Sequence, residues 1–258
     1  MGRLVVVGCG TVVPQPDRGA SCYYVELDDA RVLMDCGPGA TVALARHSIP
    51  WWDLTDVVLT HFHADHTGAL PGFFFALRHG LAHPRSVPLH VWGPRGTEEL
   101  FNRLATAFGE FMLDPGFQIR FHEVDPDEER RLAGGISLRT HKTPHTDESL
   151  AVRLVGARAS VGYTGDSGSS PTLGRFMRGT DVLICECSLL DSEVGENHLS
   201  PSGAARIANE SHPDLLILTH VYPHVLERGD LESLVQGAGY DTGEIVLAYE
   251  GYTVELSS

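Results

Sequence analysis

Between Thr60 and Thr67 the chain reads His61-Phe-His63-Ala-Asp65-His66, three imidazoles and a carboxylate within six residues. So dense a run of ligand-type side chains is hard to explain by packing, because each buried polar group needs a partner. Neutral imidazole and carboxylate suit zinc, and also iron or manganese. His61 and His63, two apart in extended chain, point the same way and can grip one ion. Asp65 and His66 come as the chain turns and can reach a second. The run follows Asp56-Val-Val-Leu-Thr60, a buried-type strand, so a sheet has to deliver it at a strand end. Asp214-Leu-Leu-Ile-Leu-Thr-His220 repeats that pattern, one residue longer, in the second half. Two sheets that each offer a His from a strand end place a site between them.

The rest of the chain supports such an architecture. Short β-branched runs recur between Gly and Pro punctuation, from Leu4–Val7 to Thr253–Leu256, with helical candidates such as Ala40–His47, Phe73–His79, Gly96–Phe108 and Pro201–Ser211 between them. Ser200-Pro201 is a good helix entrance, Ser as the cap and Pro at the first helical position. The pattern predicts an α/β layered fold. The most polar segment, Asp125–Arg131, reads as a surface loop, and no low-complexity linker divides the 258 residues, so one domain over 1–258 is expected. His47, His79, His83, His90, His122 and His212 have no metal-ligand context and read as surface or core residues.

Charge and cysteine content narrow the partners. Acidic residues exceed basic ones by 15, which speaks against a general nucleic-acid binder. Five cysteines form no CxxC pair, and no apolar run approaches the ~20 residues of a membrane span. The N-terminus reads as a first strand rather than a leader, so a reduced, cytoplasmic setting is expected. Lys142 is the only lysine; three residues before His145, it could reach a substrate phosphate.

A His-x-His-x-Asp-His run in a loop after a strand resembles the metallo-β-lactamase superfamily. Further pieces follow in order: His145 in Thr-Pro-His-Thr, Asp166 in Tyr-Thr-Gly-Asp-Ser-Gly, and His220 in Leu-Ile-Leu-Thr-His. The resemblance covers nearly the whole chain and implies a four-layer αββα sandwich with two zinc ions where the sheets meet, manganese or iron being alternatives. Carried over residue by residue, His61, His63 and His145 would hold one ion, and Asp65, His66 and His220 the other. Asp166 and a hydroxide would bridge them.

Within the superfamily the chain is similar to the tRNase Z branch. Gly8-Cys-Gly-Thr-Val-Val-Pro14 resembles its Gly-Thr-Gly opening, as do Leu70-Pro71-Gly72 and Trp92-Gly93-Pro94. Glu186 falls on the branch's His-Glu-Ala-Thr motif and His198 on its His-Ser-Thr motif, with Cys185 and Cys187 flanking the one and Leu199 following the other as departures. The likeness implies that Glu186 and His198 pair and that His198 protonates the leaving oxygen, Asp65 counting as both ligand and catalytic carboxylate. Enzymes of that branch that process tRNA carry a basic arm between the third ligand and the bridging Asp. Here only residues 146–165 intervene, enough for two strands and a turn.

The expected function is therefore hydrolysis of a small cyclic or linear phosphodiester by an arm-less phosphodiesterase. A tRNA 3′-end endonuclease is the nearest rival. A lactone or β-lactam hydrolase and an inactive metal-binding module are further ones. A homodimer is the assembly the branch implies, and a small-molecule substrate rather than a membrane or tRNA is the expected partner.

Overall fold

The computed structural model describes residues 2–81 and 85–256; His83 therefore lies outside the described residues. The first half of the chain contributes strands β1 (Gly2–Gly8), β2 (Cys22–Leu27), β3 (Ala30–Met34), β4 (Asp56–Val58), β5 (Leu89–Gly93) and β6 (Ile119–Glu123). The second half contributes β7 (Glu129–Arg131), β8 (Ser137–Lys142), β9 (Leu150–Val155), β10 (Ser160–Tyr163), β11 (Val182–Glu186), β12 (Leu215–Thr219) and β13 (Glu244–Leu247). The last strand, β14 (Thr253–Leu256), returns to the first half and pairs antiparallel with β1. Two seven-stranded sheets result, ordered β14-β1-β2-β3-β4-β5-β6 and β13-β12-β11-β10-β9-β8-β7.

Alternation along the strands explains why the sheets sandwich. Leu4 and Val6 of β1 face a core built from both sheets, while Val5 and Val7 face a second core shared with helices α1 (Ala40–Arg46), α2 (Ala64–Thr67), α3 (Leu70–His79) and α4 (Thr97–Phe108) or the segments beside them. In β12, Leu215 and Ile217 join the inter-sheet core. Leu216 and Leu218 pack outward on α5 (Leu173–Phe176), α6 (Pro201–Ser211), α7 (Pro223–Leu226) and α8 (Leu231–Gly237). Strands buried on both faces read as unbroken apolar runs, which is why β4 and β12 look alike in sequence. Three cores separate four layers, α, β, β and α.

The site ends of the strands are set by parallel pairing. β4 lies parallel to β3 and β5, and β12 lies parallel to β11 and β13. Within each sheet the carboxyl ends of these neighbours therefore open on one edge, where ligands sit in open α/β sheets. Ser200 does cap α6, its hydroxyl accepting from the Gly203 amide, with Pro201 in the first turn.

Three expectations need correction. The segment Asp125–Arg131 is not wholly loop: it contains β7, an edge strand whose exposed charges carry no apolar signal. Arg139 of β8 pairs with Glu129 across the strands, and such charge blunts a sheet edge. The buried-type strand expected over Asp56–Thr60 ends at Val58, and the Thr60 amide instead donates to Asp35. The helix expected to start at Phe73 begins at Leu70, because Pro71 is accommodated in the first turn.

Candidate metal and catalytic site

His61 follows β4 in extended chain and is fully buried. His63 then serves as the N-cap position of α2, one short turn that throws Asp65 and His66 to the same side. From the other sheet, Asp166 follows β10, Glu186 ends β11 and His220 follows β12. His145 comes from the loop between β8 and β9. All the ligand candidates of the sequence converge. His61, His63 and His145 bring one ligand atom each within 4.8 Å of one another; Asp65, His66 and His220 do the same, as do His61, His66 and Asp166. Asp166 sits centrally, with Oδ2 4.0 Å from His61, 3.6 Å from His145 and 3.5 Å from His220, and Oδ1 3.3 Å from His66.

The inner atoms lack partners. His61 Nε2, His66 Nε2 and Asp166 Oδ1 are buried and make no hydrogen bond. Each such group costs roughly 1–3 kcal/mol against a total stability of about 5–15 kcal/mol. A structural polar network would not leave three together. Three imidazole or carboxylate donors on each side, with the orphaned atoms facing inward, fit a pair of divalent cations.

The outer ring nitrogens are fixed by carboxylates. Asp35 Oδ2 accepts the Nδ1–H of His66 at 2.7 Å, and the Thr60 hydroxyl donates to the same oxygen at 2.9 Å. Having given its proton to Asp35, Thr60 Oγ1 accepts from His61 Nδ1 at 3.1 Å. Tyr163 also donates to Asp35, at 3.0 Å. The second half repeats the device. The Ser188 hydroxyl donates to Glu186 and accepts from His220 Nδ1 at 3.0 Å, while His198 Nδ1 donates to Glu186 directly at 3.2 Å. His145 is held by the Asn197 carbonyl, which accepts its Nδ1–H at 2.9 Å. Each of these bonds leaves Nε2 turned inward.

Electrostatics agree with this assignment. Burial, helped by the neighbouring His66, pushes His61 down to about 2, so it is neutral and its lone pair is available. Burial alone would raise Asp65, but the hydrogen bond from His220 and the charge of His66 bring it to about 2. Asp166, despite complete burial, is held well below the ordinary carboxylate range by His220 and His66. Burial works against a charged His66, yet Asp166 and Asp35 hold it well above the usual imidazole range. A pocket that draws a proton onto a buried imidazole is one that attracts positive charge. Glu186 likewise outweighs burial and raises His198.

His198 borders the same cavity as His63, Asp65, His145, Asp166 and His220, a space of ≈ 310 Å³. Tyr222 lines it too, its ring 6.3 Å from that of His198. Tyr222, Ser188 and Asp35 carried no motif in the sequence. Asp35 had one signal, an acid closing the apolar run Arg31–Met34; it adopts φ 56°, as does His220 at φ 55°, a left-handed backbone that non-glycine residues rarely take outside constrained sites. The substrate-facing expectation for Lys142 is corrected: its ammonium donates to the carbonyls of Thr143 and Thr146, clipping the loop that carries His145. His224 pairs with Glu193 on the exposed side of α7.

Comparison with known proteins places this geometry. The chain belongs to the beta-lactamase superfamily: the superfamily domain matches residues 30–221, which include all seven ligand candidates. Metallo-hydrolase fold neighbours and tRNase Z-like homologues accompany that match. An uncharacterised protein of Mycobacterium leprae is 34% identical over 227 residues, covering 86% of this chain and 78% of the relative. Ribonuclease Z of Mycobacterium sp. (strain KMS) is 27% identical over 279 aligned positions, covering 99% of this chain and 96% of the relative. The metallo-beta-lactamase fold protein YhfI from Bacillus subtilis superposes with a TM-score of 0.81 at 26% identity, covering 98% of both chains. Among the described residues no helix is long and apolar enough to cross a membrane.

Proposed function

We propose that this protein is a dinuclear zinc-dependent phosphodiesterase for small phosphodiesters. The carrying observation is the Glu186–His198 pair at the edge of the ligand cluster. A phosphodiester leaves as an alkoxide and needs a proton, and a carboxylate-paired imidazole is a suited donor. His61, His63 and His145 would hold one cation, Asp65, His66 and His220 the other, with Asp166 between them. Divalent cations in such a site acidify water and neutralise the anionic oxygens that repel a nucleophile. Manganese or iron would satisfy the same donors.

The chain's own residues then divide the work. Asp35 and Glu186 fix the imidazole tautomers. Glu186 also accepts from the Ser167 and Leu199 amides, so it is immobile. His198 gives its Nε2 proton to the departing oxygen. A net charge of −15 and the absence of more than the β9–β10 hairpin between His145 and Asp166 favour a small substrate over tRNA. The ribonuclease Z relatives supply the reason to keep tRNA cleavage as the second reading.

Turnover of bis(p-nitrophenyl) phosphate, set beside nitrocefin and p-nitrophenyl acetate, tests the reading. Preference for the diester supports it. Preference for either acyl substrate, or tight salt-sensitive tRNA binding with pre-tRNA cleavage, overturns it.

A further inference from the structure

Beside the imidazole cluster lies a second cavity of ≈ 420 Å³, and the two share Val12, Ala64 and Asp65 as a common wall. Its volume is in the range of small-molecule sites. Pro14, Pro38, Val42 and Ala43 make the remainder largely apolar. Val12 and Val42 are 59% and 61% exposed, large apolar side chains left in water at its mouth.

The wall carrying Val12 depends on two glycines. A Cβ on Gly8 would lie 2.1 Å from the Ala20 carbonyl oxygen, and one on Gly10 2.4 Å from that of Arg18. Only glycine lets residues 11–19 fold back, closed by the Gly10 amide donating to Gly19 at 2.7 Å. Arg18, on this wall, donates from Nη1 to the Ala248 carbonyl at 2.8 Å. Its other edge, Nε and Nη2, is enclosed and makes no hydrogen bond among the described residues.

A third cavity, ≈ 340 Å³, shares His198 with the central one and no residue with the Val12 cavity. The proton donor thus borders one side space and the apolar cavity lies off the other end, so the two ester groups of a substrate separate.

We propose that the Val12–Val42 cavity seats the ester group that stays on phosphorus, and that this group is a largely apolar ring. The inference rests on the phosphodiesterase reading. In the reaction, water oxygen bonds to phosphorus and loses its proton to solvent. The P–O bond on the His198 side breaks, and the departing oxygen takes the His198 proton. The ring remains as a phosphate monoester.

Two diesters with the same leaving group isolate the retained group. Bis(p-nitrophenyl) phosphate keeps a nitrophenyl ring and methyl p-nitrophenyl phosphate keeps a methyl group. With each rate divided by its uncatalysed rate, the ring raises kcat/KM at least about tenfold, the scale of a small apolar group in a fitted pocket. Equilibrium dialysis of 4-nitrobenzyl alcohol gives a second readout that needs no turnover. It binds the native protein one to one, and at least about tenfold more weakly to a Val42→Glu variant of native melting temperature. Equal normalised efficiency for the two diesters, or equal ring binding by the two proteins, overturns the proposal. If neither diester turns over while Val42→Glu weakens ring binding, the phosphodiesterase reading falls and the ring site stands.

Discussion

Asp35 Oδ2 accepts the Nδ1–H of His66 at 2.7 Å, from a backbone position at φ 56°. One carboxylate thereby orients His66 directly and His61 through the Thr60 hydroxyl, so both sides of the ligand cluster depend on it. Asp35→Asn keeps the volume and removes the charge. It is expected to weaken metal affinity about 10–100-fold, the usual loss when a ligand's outer partner is changed. Competition against a chromogenic chelator reads this out; native affinity would remove Asp35 from the account.

His63 is the ligand candidate nearest the surface, so its replacement disturbs packing least. His63→Ala should lose one metal equivalent per chain by elemental analysis while circular dichroism stays native. Full metal content in that variant contradicts the ligand assignment.

His198 acts late, on the leaving oxygen. His198→Ala should lower kcat on an alkyl-leaving diester by about 10²–10⁴, and much less on a p-nitrophenyl ester, whose phenolate departs without help. Metal content should be unchanged. An equal loss on both substrates would show that His198 does something other than protonate.

Gly168 sits where the His145 loop and the His198 loop meet. Its amide donates to the Pro144 carbonyl at 2.8 Å, and a Cβ there would lie 1.6 Å from the Glu196 carbonyl oxygen. Gly168→Ala must push residues 196–198 away and carry His198 with them. The expected signature is the His198→Ala leaving-group pattern in milder form, about tenfold, with little change in KM. A thermal melt separates this from general destabilisation.

Much of the site was legible because metal ligands are chemically costly residues with few other uses. His61, His63, Asp65 and His66 stand in one run, and the β4 and β12 strands announce their histidines by an unbroken apolar approach. The α/β layering followed from the succession of strand and helix patterns, and the four-layer order from the resemblance to the metallo-β-lactamase superfamily. What stayed hidden was contact-borne. Asp35, Ser188 and Tyr222 are common residue types that acquire meaning only when strand ends 30 to 150 residues apart converge. β7 was missed because an edge strand exposed on both faces has no hydrophobic period. Lys142 looked available because sequence shows its charge but not the loop carbonyls that occupy it.

The central claim is that one metal-loaded cluster drives phosphodiester hydrolysis. Metal content and bis(p-nitrophenyl) phosphate turnover, measured together on the purified protein before and after chelation, test it most directly. The account predicts two divalent ions per chain, turnover abolished by chelation, and its return on adding zinc. A protein holding two ions that hydrolyses no phosphodiester, or one whose turnover survives their removal, would contradict it.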